Sequence, residues 1–125
     1  ILDYSHAINL QPDLLEAYHY RGIVRYGMKD LDGALADYNK AISLGLKSSA
    51  VYFNRGVIFH QKGQLSDAIE SYSRSIEIDP SNARAYYNRA ISKLIVDNYK
   101  EALQDLEISK RLGYSKAAEI ISQYY

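Results

Sequence analysis

Apolar and small residues recur along this chain at the three- and four-residue spacing of an amphipathic α-helix. In the middle of the sequence one such face begins at Tyr52 and ends near Phe59, and Gly63 follows as a helix-terminating residue. A second face follows directly, with apolar or small residues at Leu65, Ala68, Ile69, Tyr72 and Ile76. The pattern predicts two helices joined by a short turn. Proline is found only at Pro12 and Pro80, as expected for a chain that is helical almost throughout.

The helix pair repeats at an interval of 34 residues. Tyr18, Tyr52 and Tyr86 fall in one column of this repeat, and no gap is needed to align them. The same shift aligns four further columns: Arg21, Arg55 and Arg89; Gly22, Gly56 and Ala90; Ala34, Ala68 and Ala102; Tyr38, Tyr72 and Leu106. A chance period would not keep small residues aligned with small ones throughout the chain, so we infer a repeat protein.

One repeat resembles the signature of the tetratricopeptide (TPR) family, which runs aromatic, Gly, aromatic, Ala, aromatic, Pro. The matching residues are Tyr52, Gly56, Phe59, Ala68, Tyr72 and Pro80. The resemblance implies an all-α fold, a right-handed superhelical solenoid of antiparallel helix hairpins in which each hairpin buries its apolar face against its neighbours. Close approach of two helices needs small side chains, and we expect these at the pairs Gly22/Ala34, Gly56/Ala68 and Ala90/Ala102.

In this frame the chain divides into three complete TPR units and two partial elements. The complete units are predicted at residues 15–48, 49–82 and 83–116. Residues 1–14 are expected to form the second helix of a truncated repeat, and residues 117–125 a C-terminal capping helix that covers the last hairpin. All of these elements together are expected to form one domain, since 125 residues suit a single core.

The arginine column departs from the family pattern, in which a Leu stands beside the small residue. We interpret these arginines as structural, with long stems lying on the hairpin and guanidinium groups meeting acids on second helices. The expected acids include Asp3, Asp37 and Asp105. Direct contact with a ligand is the alternative. The second aromatic of the first helix is also replaced, by Arg25 in one repeat and by Lys93 in another, so the core is less apolar there.

Composition and charge narrow the classes of partner. Fifteen acids balance fifteen bases and no basic run occurs, which disfavours nucleic acid and anionic membrane surfaces. The absence of cysteine removes disulfides and thiolate chemistry. No apolar run approaches the roughly 20 residues that span a bilayer, and no leader opens the sequence. We therefore expect no membrane insertion, and a cytoplasmic location is the default assignment.

The sequence offers little for catalysis. The histidines His6, His19 and His60 have no spacing that forms a metal pair on one helix. No serine stands in a Gly-x-Ser-x-Gly turn, and no glycine-rich phosphate loop occurs. We expect no metal site, no cofactor and no catalytic residue. The protein is predicted not to be an enzyme, with a regulatory repeat region of a larger enzyme as the minor alternative.

The TPR resemblance implies a concave surface, lined by the first helix of each hairpin, that binds a protein or peptide partner. Residues one, two and five positions after the Tyr18, Tyr52 and Tyr86 column project away from the partner helix. With one neighbouring charge added, the predicted groove comprises His19, Tyr20, Ile23, Phe53, Asn54, Val57, Arg84, Tyr87, Asn88 and Ile91. The apolar members favour an apolar ligand, although packing between neighbouring first helices is the alternative. The two amides can pair with the backbone of an extended peptide, with local hydrogen bonding as the alternative.

One TPR subgroup grips the C-terminal carboxylate of chaperone tails with Lys, Asn and Arg side chains on consecutive first helices. Asn54 and Arg84 match that pattern. His19 and Ile23, however, stand where a Lys and an Asn are expected, and Asn88 stands where the Arg is expected. Because too little positive charge remains, we expect an apolar or backbone-held segment instead. The rival hypothesis is self-association through the terminal helices.

Overall fold

The computed structural model describes residues 2–10 and 14–125, and for Leu2 and Asp3 it describes the backbone only. These residues form eight α-helices and no strand, so the predicted all-α class is confirmed. The helices are α1 (Leu2–Leu10), α2 (Leu15–Gly27), α3 (Leu31–Ser43), α4 (Ser49–Gln61), α5 (Leu65–Ile78), α6 (Ala83–Ile95), α7 (Tyr99–Arg111) and α8 (Ser115–Tyr124).

Local sequence sets where the helices of the central repeat end and begin. Gly63 has a φ of +76°, a left-handed conformation that ends α4 as predicted. The chain then reverses, and the Gln64 amide donates to the Phe59 carbonyl at 2.9 Å. At the start of α6 the Asn82 side chain accepts a hydrogen bond from the Ala85 amide. A glycine stop and a side-chain cap therefore delimit the hairpin α4–α5.

The chain comprises two compact units, Ile1–Lys47 and Ser48–Tyr125, which are described separately. In the amino-terminal unit, α2 and α3 form one hairpin and α1 packs on α2. In the carboxyl-terminal unit, α4–α5 and α6–α7 form two hairpins, and α8 packs on α7. The fully buried Ala117 of α8 joins a core cluster with Ala90, Ala102 and Leu106. The last helix thus completes the core of the carboxyl-terminal unit.

Each hairpin packs the small residue of its first helix against a large side chain of the second. A Cβ atom on Gly56 would lie 2.5 Å from the ring of Tyr72, and one on Gly22 would lie 2.8 Å from the ring of Tyr38. The nearest neighbour of each glycine is therefore an aromatic ring and not the paired alanine that the sequence suggested. The small residue makes room for a ring.

Two of the three repeated arginines form the predicted structural ion pairs. Arg21 donates to both carboxylate oxygens of Asp37, at 2.8 and 2.7 Å. Arg89 binds Asp105 in the same two-pronged way, at 2.8 and 2.6 Å. The hydrogen bond from Arg21 to Asp37 raises the pKa of the guanidinium above its usual value. The Asp3 side chain lies outside the described residues.

The arginine of the central repeat is held differently. Arg55 donates from Nε to the hydroxyl of Ser71 at 3.0 Å and lies 3.6 Å from the exposed carboxylate of Glu70. Its guanidinium also lies over the Tyr52 ring, 4.9 Å from the ring centre. A neutral hydroxyl takes the place of the buried carboxylate, so the expected acid partner is replaced here by a serine.

The cations that replace an aromatic residue meet the same buried carboxylates. Arg25 lies 3.2 Å from Asp37, and Lys93 lies 2.9 Å from Asp105. The central repeat keeps the aromatic residue, Phe59, at the corresponding position. A second cation is therefore present where a buried aspartate is present, and a ring is present where the aspartate is a serine.

Candidate peptide-binding site

Three of the predicted groove residues lie on α2 of the amino-terminal unit. The ring of His19 stacks on that of Tyr20 at 5.1 Å between centroids, and Tyr20 stacks on Tyr4 of α1 at 5.7 Å. Tyr20 and Ile23 are 47% and 42% exposed. Partial burial lowers the pKa of His19, an effect that the nearby Glu16 opposes. These residues form an aromatic patch with one neutral imidazole at its centre.

The other seven predicted residues lie in the carboxyl-terminal unit, and four of them line one cavity of about 270 Å³ between α4 and α6. We call it the α4/α6 cavity. Its lining residues are Val57, His60, Gln61, Tyr72, Tyr87, Asn88 and Ile91. Sequence reasoning missed His60 and Gln61, which follow Val57 by three and four residues on the same helix face. Extending the predicted stripe by one turn would have found both.

Polar groups of the α4/α6 cavity are placed for recognition. The Asn88 side chain is half-buried, and no residue in the described ranges makes a hydrogen bond with it. The Nδ1 atom of His60 lies 3.2 Å from the hydroxyl of the fully buried Ser92, which leaves the other ring nitrogen for a further partner. An amide and an imidazole thus offer donors and acceptors beside apolar walls.

Tyr87 forms a rigid wall of the same cavity. Its ring meets the ring of Tyr114 edge to face, with 4.9 Å between centroids. Burial raises the pKa of the Tyr87 hydroxyl, with smaller contributions from Tyr114 and Glu119, so this hydroxyl remains a hydrogen-bond donor at neutral pH. An aromatic wall of this kind buries a large ligand surface at a small cost in conformational entropy.

The remaining predicted residues lie beside the cavity and do not line it. The exposed Arg84 side chain covers the Phe53 ring at 5.5 Å, and this ring packs against Tyr72 at 5.8 Å. Arg84 forms no ion pair with any acid of the described ranges. Asn54 is half-buried on α4. Phe53 is therefore partly engaged in packing, which is the alternative that the sequence left open for the apolar stripe.

Two further searches covered the described residues. No three His, Cys, Asp or Glu side chains of that part of the chain are grouped so that they could hold a metal ion. Among the same residues, no helix combines the length and the apolar character needed to cross a bilayer.

The hairpins and the site can now be compared with known proteins. A family model described as TPR repeat matches residues 58–93, which include α5 and most of α6. Many solved structures share the fold. A crystal structure of MamA superposes with a TM-score of 0.85 at 18% identity, covering 91% of this chain and 68% of that chain. The predicted resemblance is confirmed, and the chain is a tetratricopeptide-repeat protein.

Two other similar structures are single TPR domains. The Arabidopsis OM64 TPR domain has a TM-score of 0.75 at 25% identity, with 87% of this chain and 91% of that chain covered. The first TPR of Spaghetti (RPAP3), bound to the HSP90 peptide SRMEEVD, has a TM-score of 0.77 at 16% identity, with 87% and 88% covered. The chain spans about two thirds of the MamA chains, 68% of one and 64% of another. No curated protein sequence matches it.

Proposed function

We propose that this chain is a protein-interaction module that binds an apolar, extended segment of a partner protein through the α4/α6 cavity. The observation that carries the proposal is the half-buried Asn88 amide, which has no partner among the described residues and stands between the apolar side chains of Val57, Tyr87 and Ile91. The module is inferred to have no catalytic activity of its own, because none of these groups is arranged as a nucleophile and its base.

The chemistry of the cavity defines the ligand. A volume of about 270 Å³ accommodates one bulky side chain and not a whole peptide. The walls favour an apolar side chain, and the Asn88 amide can pair with a backbone carbonyl and N–H of the residue that carries it. His60 lies at the rim as one further hydrogen-bonding group. The ligand is therefore a short extended segment anchored by a single large residue at this point.

A comparison with the peptide-bound Spaghetti structure supports peptide binding as a use of this fold. The charges of the present chain favour a different peptide. Arg84 is the cation beside the α4/α6 cavity, while His19, Ile23 and Asn88 occupy positions that the carboxylate-binding subgroup fills with Lys, Asn and Arg. A segment held by its apolar side chain and its backbone needs none of those cations.

The test is affinity capture with this chain, followed by identification of the retained protein and titration calorimetry with peptides that tile its sequence. Asn88→Ala is expected to weaken the best peptide about three- to tenfold, the effect of losing a hydrogen bond to a ligand backbone. Gln104→Ala is the matched control, because this exposed amide lies on the second helix α7. Equal affinities of the two variants would count against the cavity as the binding site.

A second candidate function is self-association, favoured by the exposed apolar residues near the carboxyl end. Ile95, Tyr124 and Tyr125 are 54%, 59% and 48% exposed, although side chains of this kind are usually covered when they cluster. Sedimentation velocity across a hundredfold range of concentration separates the two candidates. A species that stays monomeric throughout removes the self-association hypothesis.

A further inference from the structure

A second cavity of about 310 Å³ lies between α6, the start of α7 and α8. We call it the α6/α8 cavity. Its lining residues are Ile91, Leu94, Ile95, Tyr99, Ile120 and Tyr124. Only Ile91 belongs to the predicted groove, and this residue also lines the α4/α6 cavity. The two cavities therefore share a wall.

The α6 side of the new cavity repeats the α4 side of the first one. Ile91 follows Val57 by 34 residues, and this is the repeat interval. At the same interval the imidazole of His60 is replaced by the side chain of Leu94. The exposed Gln61 is likewise replaced by Ile95. Both polar groups on this side have become aliphatic.

The α8 side also repeats its counterpart, once the helix starts are aligned. Ala85 and Ala117 are each the third residue of their helices, and both are fully buried. In this alignment Ile120 of α8 takes the place of Asn88 of α6. The α6/α8 cavity is thus the α4/α6 cavity moved by one repeat, with each imidazole or amide replaced by an aliphatic side chain.

The polar atoms that remain belong to two tyrosines. The Tyr99 hydroxyl donates to Asp97 at 3.0 Å, and this hydrogen bond raises the pKa of Tyr99. No charged side chain lines the cavity within the described ranges. Ile95, Tyr99 and Tyr124 are each at least half exposed, so a bound apolar group would remove their surface from water. The complement of such a cavity is an apolar side chain with no hydrogen-bonding group.

We propose that the α6/α8 cavity is a second anchor pocket, which takes a branched aliphatic or aromatic side chain of the same partner segment that fills the α4/α6 cavity. This inference rests on the proposed function. Neighbouring helices lie about 10 Å apart, and an extended chain advances about 3.3 Å per residue. The two anchors are therefore expected about three residues apart in the partner, separated by the side chain of Ile91.

Single amino-acid probes test the pocket without knowledge of the partner. N-acetyl-leucinamide and N-acetyl-glutaminamide would be titrated while the methyl NMR signals of isoleucine and leucine are recorded. The leucine probe is expected to shift the signals of Leu94, Ile95 and Ile120, and to bind at least about fivefold more tightly than the glutamine probe. Shifts of equal size with both probes, or shifts at neither cavity, would overturn the proposal.

The repeat supplies a matched pair of variants. Ile95→Gln gives the α6/α8 cavity the residue of its counterpart, and should weaken the leucine probe about fivefold. Gln61→Ile makes the reciprocal change and should add leucine binding at the α4/α6 cavity. Both positions are exposed, so the melting temperature should hold, and Tyr124→Gln at another exposed position of the same cavity is the second variant. Unchanged leucine binding in both Ile95→Gln and Tyr124→Gln would overturn the pocket.

Peptides then separate this inference from the proposed function. Nine-residue peptides of Ser and Ala would carry one Leu, or two Leu three residues apart. If Asn88→Ala weakens the two-Leu peptide and Ile95→Gln does not, the second pocket is wrong and the proposed function stands. If Ile95→Gln alone weakens it, the pocket stands and the α4/α6 site fails. A concentration-dependent dimer that Ile95→Gln abolishes would instead make a second copy of the chain the occupant and overturn the proposal.

Discussion

The hairpins α4–α5 and α6–α7 use different side chains at the same repeat positions. In the first, Gly56 lies against the ring of Tyr72. In the second, Ala90 and Leu106 belong to one buried cluster at the corresponding positions. The added methyl group on the first helix accompanies a smaller side chain on the second. Paired positions of the repeat thus change together so that the hairpin interior stays filled.

The same two hairpins differ in their buried charge. Asp105 is 3% exposed and binds both Arg89 and Lys93, whereas the fully buried Ser71 of the other hairpin binds Arg55 alone. A buried carboxylate needs cations to replace the water it has lost, and a hydroxyl does not. The comparison teaches that substitutions in a repeat are best interpreted as sets. Three predictions test it, from the largest expected effect to the smallest.

Removal of the buried carboxylate should have the largest effect. Asp105→Ala leaves two largely buried cations without their acceptor, and the expected loss of unfolding free energy is about 4 kcal/mol. Ser71→Ala in the other hairpin removes one hydrogen bond and should cost about 1 kcal/mol. Urea denaturation followed by circular dichroism measures both. Similar losses for the two variants would show that the hairpins do not differ as described.

The exposed acid next to this cluster provides the control. Glu101 lies 3.9 Å from Lys93 and is open to solvent. Glu101→Ala should change the unfolding free energy by less than about 0.5 kcal/mol, because solvent screens exposed ion pairs.

Overpacking of the central hairpin should follow in size. Gly56→Leu places a large side chain where even a Cβ atom would meet the buried Tyr72 ring, and the expected cost is about 3 kcal/mol. Gly27→Ala is the control, because nothing lies within 4 Å of a Cβ atom at that position. It should be neutral or slightly stabilising through helix propensity. A melting temperature unchanged in Gly56→Leu would contradict the alignment of the repeats.

Exchange of the packing pair gives the smallest and sharpest effect. Gly56→Ala crowds the Tyr72 ring, and Tyr72→Leu alone leaves a gap. The double variant recreates the pair found in α6–α7. Its loss of stability should be smaller than the sum of the single losses by at least about 1 kcal/mol. Additive losses in this double-mutant cycle would mean that the two positions are not coupled.

The sequence predicted the fold well because the repeat interval is a property of the whole chain. The helix spacing, the glycine stop at Gly63 and the structural role of Arg21 and Arg89 all follow from residues that recur in phase. Of the predicted groove, the part of α6 that holds Tyr87, Asn88 and Ile91 does line a cavity. The assignment of all ten groove residues to one ligand surface remains a prediction.

The α6/α8 cavity escaped prediction for a definite reason. Ala117 follows Ala85 by 32 residues and not 34, because the connection from α7 to α8 is only three residues long. Alignment at the constant interval therefore places Ile120 in the wrong column. The exchange of Phe59 for a cation opposite a buried aspartate was equally hidden, since it becomes meaningful only when the two helices are seen in contact.

The position of Ile91 limits how the two cavities can diverge. Its side chain borders both, so any substitution there reshapes two surfaces together. Gln61 and Ile95, in contrast, each border a single cavity and can vary independently. A combinatorial library built on this scaffold should therefore hold Ile91 fixed and randomise the residues on either side, which would allow each half of the surface to be selected separately.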